Sequence, residues 1–384
     1  MAGYATIKNM KPLDNITVLD LTRLLPGSVA TMWLGDFGAN VIKIEDTKSG
    51  DPARSMPPFI NGGGAVFLAT NRNKKSVTLD LKNPDDKASF LKLVATADVL
   101  VEGFRPGVMQ RLGLDYESLK EINPRLIYCS ISGYGQDGPY REKGGHDINY
   151  MAVAGALGLN GFAGESPSIP GVQIADLAGG SMQSVMGILL ALMARDKSGA
   201  GQFVDVSMMD GAFSMMQVPL SYYFATGQVP ARGSETLSGK YACYNIYETS
   251  DGRHLSLGAL ELKFWANTCQ TLGREDLIPL HFAGGEIQKN CIAQVRAIFK
   301  SKTASEWLEI FVSTDACLML INNVSEAVND PQVQQRELVI EIDHPKAGKL
   351  KQIANPVKLS ATPAETFLPP PGLGEHTEEI VRSL

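Results

Sequence analysis

Cysteine is sparse in this chain. The five residues Cys129, Cys243, Cys269, Cys291 and Cys317 lie far apart and form no C-x-x-C spacing. An odd, scattered set excludes a disulfide framework and a zinc site, so no metal is expected and the thiols read as buried groups of a reducing compartment. Blocks of like charge are also missing, although the formal net charge is −6. That excludes a nucleic-acid surface and a basic membrane-surface helix, and leaves any anionic ligand to be met by local cations. No apolar run reaches the ~18 residues of a spanning helix. The longest, Val185 to Ala194, has the length of a core helix. The N-terminus lacks a basic-then-apolar signal pattern, so a cytoplasmic protein with no membrane partner is expected. Finally, there is no G-x-G-x-x-G: the first strand-to-helix turn reads Leu25-Pro26-Gly27-Ser28, which argues against a dehydrogenase-type nucleotide fingerprint.

What is present is a soluble enzyme's composition, 44% hydrophobic and 20% charged, with 38 glycines and 21 prolines for loops. A chain of 384 residues exceeds the roughly 250–300 at which single cores stop growing, so two domains are expected. Ile16 to Leu21, a helix opened by Pro26-Gly27, and Val41 to Glu45 make a βαβ start. Further short strands at Ser76 to Leu81, Val99 to Glu102, Leu126 to Ser132 and Val204 to Met208 alternate with helical stretches. That pattern predicts an α/β fold, a parallel sheet covered on both faces. Asp147 to Leu157 and Asp176 to Ala194 are Ala-, Gly- and Met-rich helices packed against it. Residues 1–225 therefore read as the first part of a large Rossmann-like domain. Residues 226–240, rich in Gly, Pro, Ser and Arg, form a linker, and 241–325 a smaller α+β domain opening on a hairpin with an Asp251-Gly252 turn. Residues 326–384 return to the large domain through a Pro-rich tail, Asn355 to Gly374.

Thirty residues separate His146 from Asp176. Alone, His146 reads as a structural histidine and Asp176 as a helix N-cap. Together, each beside small or helix-starting residues, an imidazole and a carboxylate can face one bound acyl group and exchange its α-proton. A helix starting near Asp147 would offer free N–H groups to developing negative charge. Arg72, Lys74 and Lys75 cluster before one strand and Arg105 follows another. Singly these are solvated loop charges; as a group in an acidic chain they point to a polyanionic ligand. The loop Gly133 to Pro139 is either a ligand-approach loop or a plain glycine turn, and Glu261 either a functional carboxylate or the start of a helix.

Four segments, Leu34 to Glu45, Glu102 to Gly107, Gly133 to Pro139 and the Asp176 region, resemble the family III CoA-transferase superfamily (CaiB/BaiF type). The likeness runs from about residue 13 to Gly374 to Glu379. Within it, Gly145 to Tyr150, Gly258 to Glu261 and Thr314 to Cys317 resemble the α-methylacyl-CoA racemase branch. Ser238 to Tyr244 departs from that branch's usual Asp-Gly-Gly-Ala-Pro pattern, and Asp46 stands where the family carries an arginine. The resemblance implies a Rossmann-like large domain, a small domain in the middle of the chain, and two ring-shaped subunits interlocked as a homodimer. It implies an acyl-CoA substrate, with coenzyme A part of that substrate and no separate cofactor. His146 and Asp176 would be the acid/base groups, Glu261 would orient His146, the Asp147 backbone would hold the thioester oxygen, and Arg72, Lys74, Lys75 and Arg105 would lie near CoA. Three readings follow. In a racemase, two unlike bases move a proton across C2 of a 2-methyl-branched acyl-CoA through an enolate. In a transferase, Asp176 is a nucleophile forming an anhydride and then an enzyme thioester. A silent acyl-CoA-binding protein would leave the joint presence of His146, Asp176 and Glu261 without use.

Overall fold

The computed structural model describes residues 10–384. They gather into two compact units. The first takes in the chain up to Ala156, Pro170–Met216 and Gln332–Leu384; the second comprises Leu157–Ile169 and Gln217–Pro331. The breaks thus fall at 216/217 and 331/332, against the expected 225 and 326, and residues 157–169 join the second unit.

The first unit is built on six parallel strands: β1 (Thr17–Leu21), β2 (Asn40–Glu45), β3 (Lys74–Thr78), β4 (Val99–Glu102), β5 (Ile127–Ser132) and β6 (Phe203–Ser207), in the order β3-β2-β1-β4-β5-β6. Every residue of β4 and β5 is buried, as a sheet with both faces covered requires. Side chains alternate between those faces. Leu19, Leu21, Ile42, Ile44, Val77 and Leu100 point to one core, where they meet Phe90, Leu93 and Val94 of helix α2 (Pro84–Thr96) and Ile380 near the C-terminus. Asn83 caps α2 by accepting the Asp85 and Asp86 N–H groups, and Pro84 takes the first helical position, where no N–H is needed.

Asp20, Lys43 and Lys74 lie on the opposite face, under helix α1 (Pro26–Asp36), and their heads are fully buried. Lys74 Nζ donates to Asp20 Oδ2, Ser28 O and Asn71 Oδ1, each at 2.9 Å. Burial draws the Lys74 amine down to about 8, with the Asp20 carboxylate opposing. Arg72 is equally enclosed. Its guanidinium grips Asp36 at 2.9 and 2.7 Å and donates at 3.0 Å to Gln352 Oε1 and Ile353 O. The expectation that Arg72 and Lys74 offer free charge to a ligand is therefore corrected. Both sit at the entry of β3, and internal acceptors already take up their donors. Lys75, partly exposed, faces Glu379 at 3.7 Å.

Two helical regions differ from expectation. The stretch from Asp147 breaks after Val153, because Gly155 adopts a left-handed φ of +83°, leaving helix α3 (Asp147–Val153) and a separate turn at Ala156–Leu159. The second run, α4 (Ala175–Ser198), is longer than its apolar centre indicates: it is π-helical over Ala175–Met182 and α-helical from Gln183. By length and composition alone α4 would pass for a membrane span, yet it packs on β5, β6 and α1. Met182, Met186, Leu189, Leu190 and Met193 remain exposed along it.

The C-terminal return contains a hairpin, Val339–His344 with Gly348–Ile353, that is not among the expected elements. The Pro-rich tail beyond it lies along the first unit: Leu368 O accepts from Asn73 N at 2.9 Å and Glu365 N donates to Asp36 O at 2.9 Å. In the second unit, strands Tyr244–Glu248 and His254–Gly258 form the expected hairpin and Leu318–Leu320 adds a third antiparallel strand. Its core is aromatic, with Tyr247, Trp265, Phe299 and Trp307 buried among helices Leu262–Thr271, Gly285–Phe299 and Ala304–Ile310.

Replacing Arg72 by Leu leaves Asp36 buried without its counter-charge, which costs about 3–5 kcal/mol when one partner of such a pair is removed. Urea unfolding should therefore show a large drop in midpoint. A midpoint equal to that of the parent would show the pair to be dispensable.

Candidate active site

The site grows from the carboxyl end of β5. Beyond Ser132 the chain runs through the glycine loop, which Ser132 Oγ and Asp205 Oδ2 anchor by accepting from Gly135 N at 3.0 Å and Gln136 N at 3.1 Å. The loop delivers His146 to the N-cap of α3 in extended conformation (φ −132°, ψ 177°). Asn149 Oδ1 accepts from His146 N at 3.0 Å. The imidazole is exposed. Asp147, the first helical residue, has an N–H with no intrahelical acceptor, so the amide and the helix dipole both favour negative charge beside His146.

Asp176 arrives from the π-helical start of α4. Such wide turns concentrate at functional positions, where they re-aim side chains. Here the turn is held by backbone contact: a Cβ on Gly211 would come within 2.3 Å of Gly179 Cα, so both positions require glycine. Ser181 Oγ further donates to Pro26 O at 2.6 Å. Ile174, not Asp176, occupies the N-cap, which removes the purely capping reading of that carboxylate.

The two segments meet. Asp147 Oδ1 accepts from Asp176 N at 2.9 Å, tying the start of α3 to the carboxylate's own backbone. Burial and, next, the Asp147 carboxylate raise the Asp176 pKa to about 6, while the nearby His146 pulls it down. The dipole of a helix N-terminus would lower an acid's pKa; desolvation outweighs it here. A carboxyl group poised near neutrality beside an imidazole can both take and return a proton.

The cations divide. Arg105 follows β4, is exposed, and reaches the site's loop: a Cβ on Gly144 would lie 2.8 Å from its Nη2. Arg23, absent from the candidates above, follows β1 and sits 5.1 Å over the Phe104 ring. β1 and β4 are hydrogen-bonded neighbours at the point where strand order reverses, the place where open α/β sheets bind ligands. The signal for Arg23 was available: a cation just past the first strand. Arg72 and Lys74 are not part of this group. Glu261 belongs to the second unit, exposed at the N-cap of helix Leu262–Thr271, and its side chain caps no N–H there.

Known proteins are similar to this chain in sequence and in fold. The family model "CoA-transferase family III" matches residues 13–377. A succinyl-CoA:glutarate CoA-transferase of Homo sapiens is 34% identical over 384 residues, 98% of this chain and 87% of that protein. An α-methylacyl-CoA racemase of Homo sapiens is likewise 34% identical, over 374 residues, 96% of this chain and 92% of that protein. The crystal structure of a CAIB/BAIF family protein from Brucella suis is similar with a TM-score of 0.85 at 30% identity, covering 98% of this chain and 100% of that one.

A carboxyl raised from 3.8 to about 6 in the folded chain holds its proton more tightly there than when unfolded. Its effect on stability is therefore neutral below the unfolded value and increasingly unfavourable as pH rises through that window. Asp176→Asn should raise the melting temperature relative to the parent at about pH 8, and the two curves should converge near pH 4. A variant that is less stable than the parent at the higher pH would contradict the burial argument.

Proposed function

Within CoA-transferase family III, to which this chain belongs, we propose that it racemises or epimerises C2 of 2-methyl-branched acyl-CoA thioesters by 1,1-proton transfer. One observation carries the reading: an exposed imidazole, His146, acts electrostatically on a carboxyl, Asp176, that is raised to about 6 chiefly by burial. In one direction Asp176 takes the α-proton and His146, protonated, returns one to the other face; in the reverse direction the roles exchange. The planar enolate needs a donor at its oxygen, and the Asp147 N–H at the start of α3 supplies one. Arg23 and Arg105 take the CoA phosphates. The apolar stripe along α4, Met182 to Met193, supports burial in a homodimer. The protein works in the cytoplasm, with coenzyme A entering as part of the substrate.

A second reading has a specific observation behind it: the succinyl-CoA:glutarate CoA-transferase is as similar to this chain, 34% identical, as the racemase is. There Asp176 would attack the thioester carbonyl and expel CoA thiolate, forming a mixed anhydride; the thiolate would attack the aspartyl carbonyl, releasing the first acid and leaving an enzyme thioester. A second carboxylate would run these steps in reverse, leaving as the new acyl-CoA and freeing Asp176. The racemase reading is preferred because it uses His146.

In D₂O the enzyme should wash deuterium into C2 of a 2-methylacyl-CoA and erase its stereochemistry with no free acid added. His146→Ala should lower that rate by about 10²- to 10⁴-fold. Acid-dependent CoA transfer without exchange, with hydroxylamine-trappable adducts on Asp176 and a nearly silent His146→Ala, would establish the transferase instead. In the same assay Arg105→Ala should raise KM about tenfold for a CoA thioester, the scale of one lost charge-assisted contact, and leave KM for the matching pantetheine thioester unchanged. An equal change in KM for both thioesters would remove Arg105 from phosphate binding.

A further inference from the structure

We infer that Tyr150 is a positioning residue that sets the His146 imidazole for proton transfer; the inference rests on His146 acting as a base. Tyr150 lies three residues beyond Asp147, so the two share a face of α3. Asp147 holds one member of the pair, through the Asp176 N–H at 2.9 Å. Tyr150 holds the other: its hydroxyl donates to Gly145 O at 2.5 Å, the carbonyl of the peptide that leads into His146. A single face of one short helix thereby secures the backbone at both bases.

The ring is held as firmly as the hydroxyl. Tyr150 is 6% exposed and meets Tyr134 edge-on, with centroids 5.2 Å apart at 82°. A Cβ on Gly133 would lie 2.4 Å from Tyr150 Cε1, and one on Gly145 2.8 Å from the same atom. The ring therefore fills the space that side chains at Gly133 and Gly145 would occupy. Burial first, and the Asp176 carboxylate second, hold the phenol up to about 12. Tyr150 thus remains a neutral donor throughout the range in which Asp176 titrates.

Tyr150→Phe keeps the ring and deletes only the donor. Expected are a kcat for C2 deuterium exchange about tenfold lower, the scale of one lost hydrogen bond, with KM within about twofold of the parent. The His146 imidazole resonance, assigned with His146→Ala, should move, while those of His254, His281, His344 and His376 stay in place. Gly145→Ala, whose methyl displaces the ring with its hydroxyl intact, should give the same signature. An unmoved His146 resonance, or exchange at the parent rate in Tyr150→Phe, overturns the inference. If the parent protein shows no exchange with any branched acyl-CoA, the proton-transfer reading fails by itself, and the resonance still decides whether Tyr150 positions the imidazole.

Discussion

The buried pairing of Asp36 with Arg72 is the constraint on which the first unit depends. Asp36 ends α1, yet its carboxylate also accepts from Asn73 Nδ2 at 2.9 Å and from Asn355 Nδ2 at 3.3 Å, while Arg72 reaches on to Gln352 and Ile353. Segments some 280 to 320 residues apart in the chain are thus joined at one desolvated charge. An uncompensated charge there would be so costly that the C-terminal return has one docking position. Asn73 adds to this by donating to Glu365 O and accepting from Phe367 and Leu368 N–H groups, so the Pro-rich tail is held by hydrogen bonds that prolines themselves cannot donate.

The same logic operates under α1. Lys43 Nζ donates to Thr22 O at 2.8 Å and pairs with Asp51 at 3.0 Å, and Asp51 accepts in turn from Leu24 N at 3.1 Å. The loop between β1 and α1 therefore rests on buried charge. Leu24 tolerates a φ of +61° because that frame specifies it. Arg23 projects from this loop at the strand-order reversal, so the ion network beneath the sheet's exit edge also orients a cation above it.

At the site the chemistry turns on a balance of opposing effects at one carboxyl. Burial and Asp147 push Asp176 up, and His146 pulls it down. Either reading of the reaction uses that carboxyl, as a base in one and a nucleophile in the other. The imidazole distinguishes them, because carboxylate attack on a thioester does not require it while return of a proton to the opposite face of an enolate does.

Much of the architecture is legible in the chain alone. Short apolar stretches separated by helical periods identify all six parallel strands to within two residues at most ends, since at least one face of each strand packs apolar side chains into the core. The Asp251-Gly252 turn locates the hairpin of the second unit, because that dipeptide accepts the backbone angles the turn demands. His146, Asp147 and Asp176 are legible as residue types in suitable local settings, and so is Arg105 beyond its strand. What the chain by itself does not disclose is who meets whom. Arg72 and Lys74 look like surface cations in a loop-rich segment, and only the register of β3 against β2 and β1 buries them against Asp36 and Asp20. The hairpin at Val339–Ile353 does alternate, Ile340-Glu341-Ile342-Asp343 against Lys349-Leu350-Lys351, but it lies in a return segment otherwise read as extended tail. The Asp147–Asp176 link, the π-helical turn and the Tyr150 hydroxyl on Gly145 O are decided by packing of distant segments. Local sequence determines the preferences of each element, and the desolvation and contact energies that choose among them exist only once the chain has closed on itself.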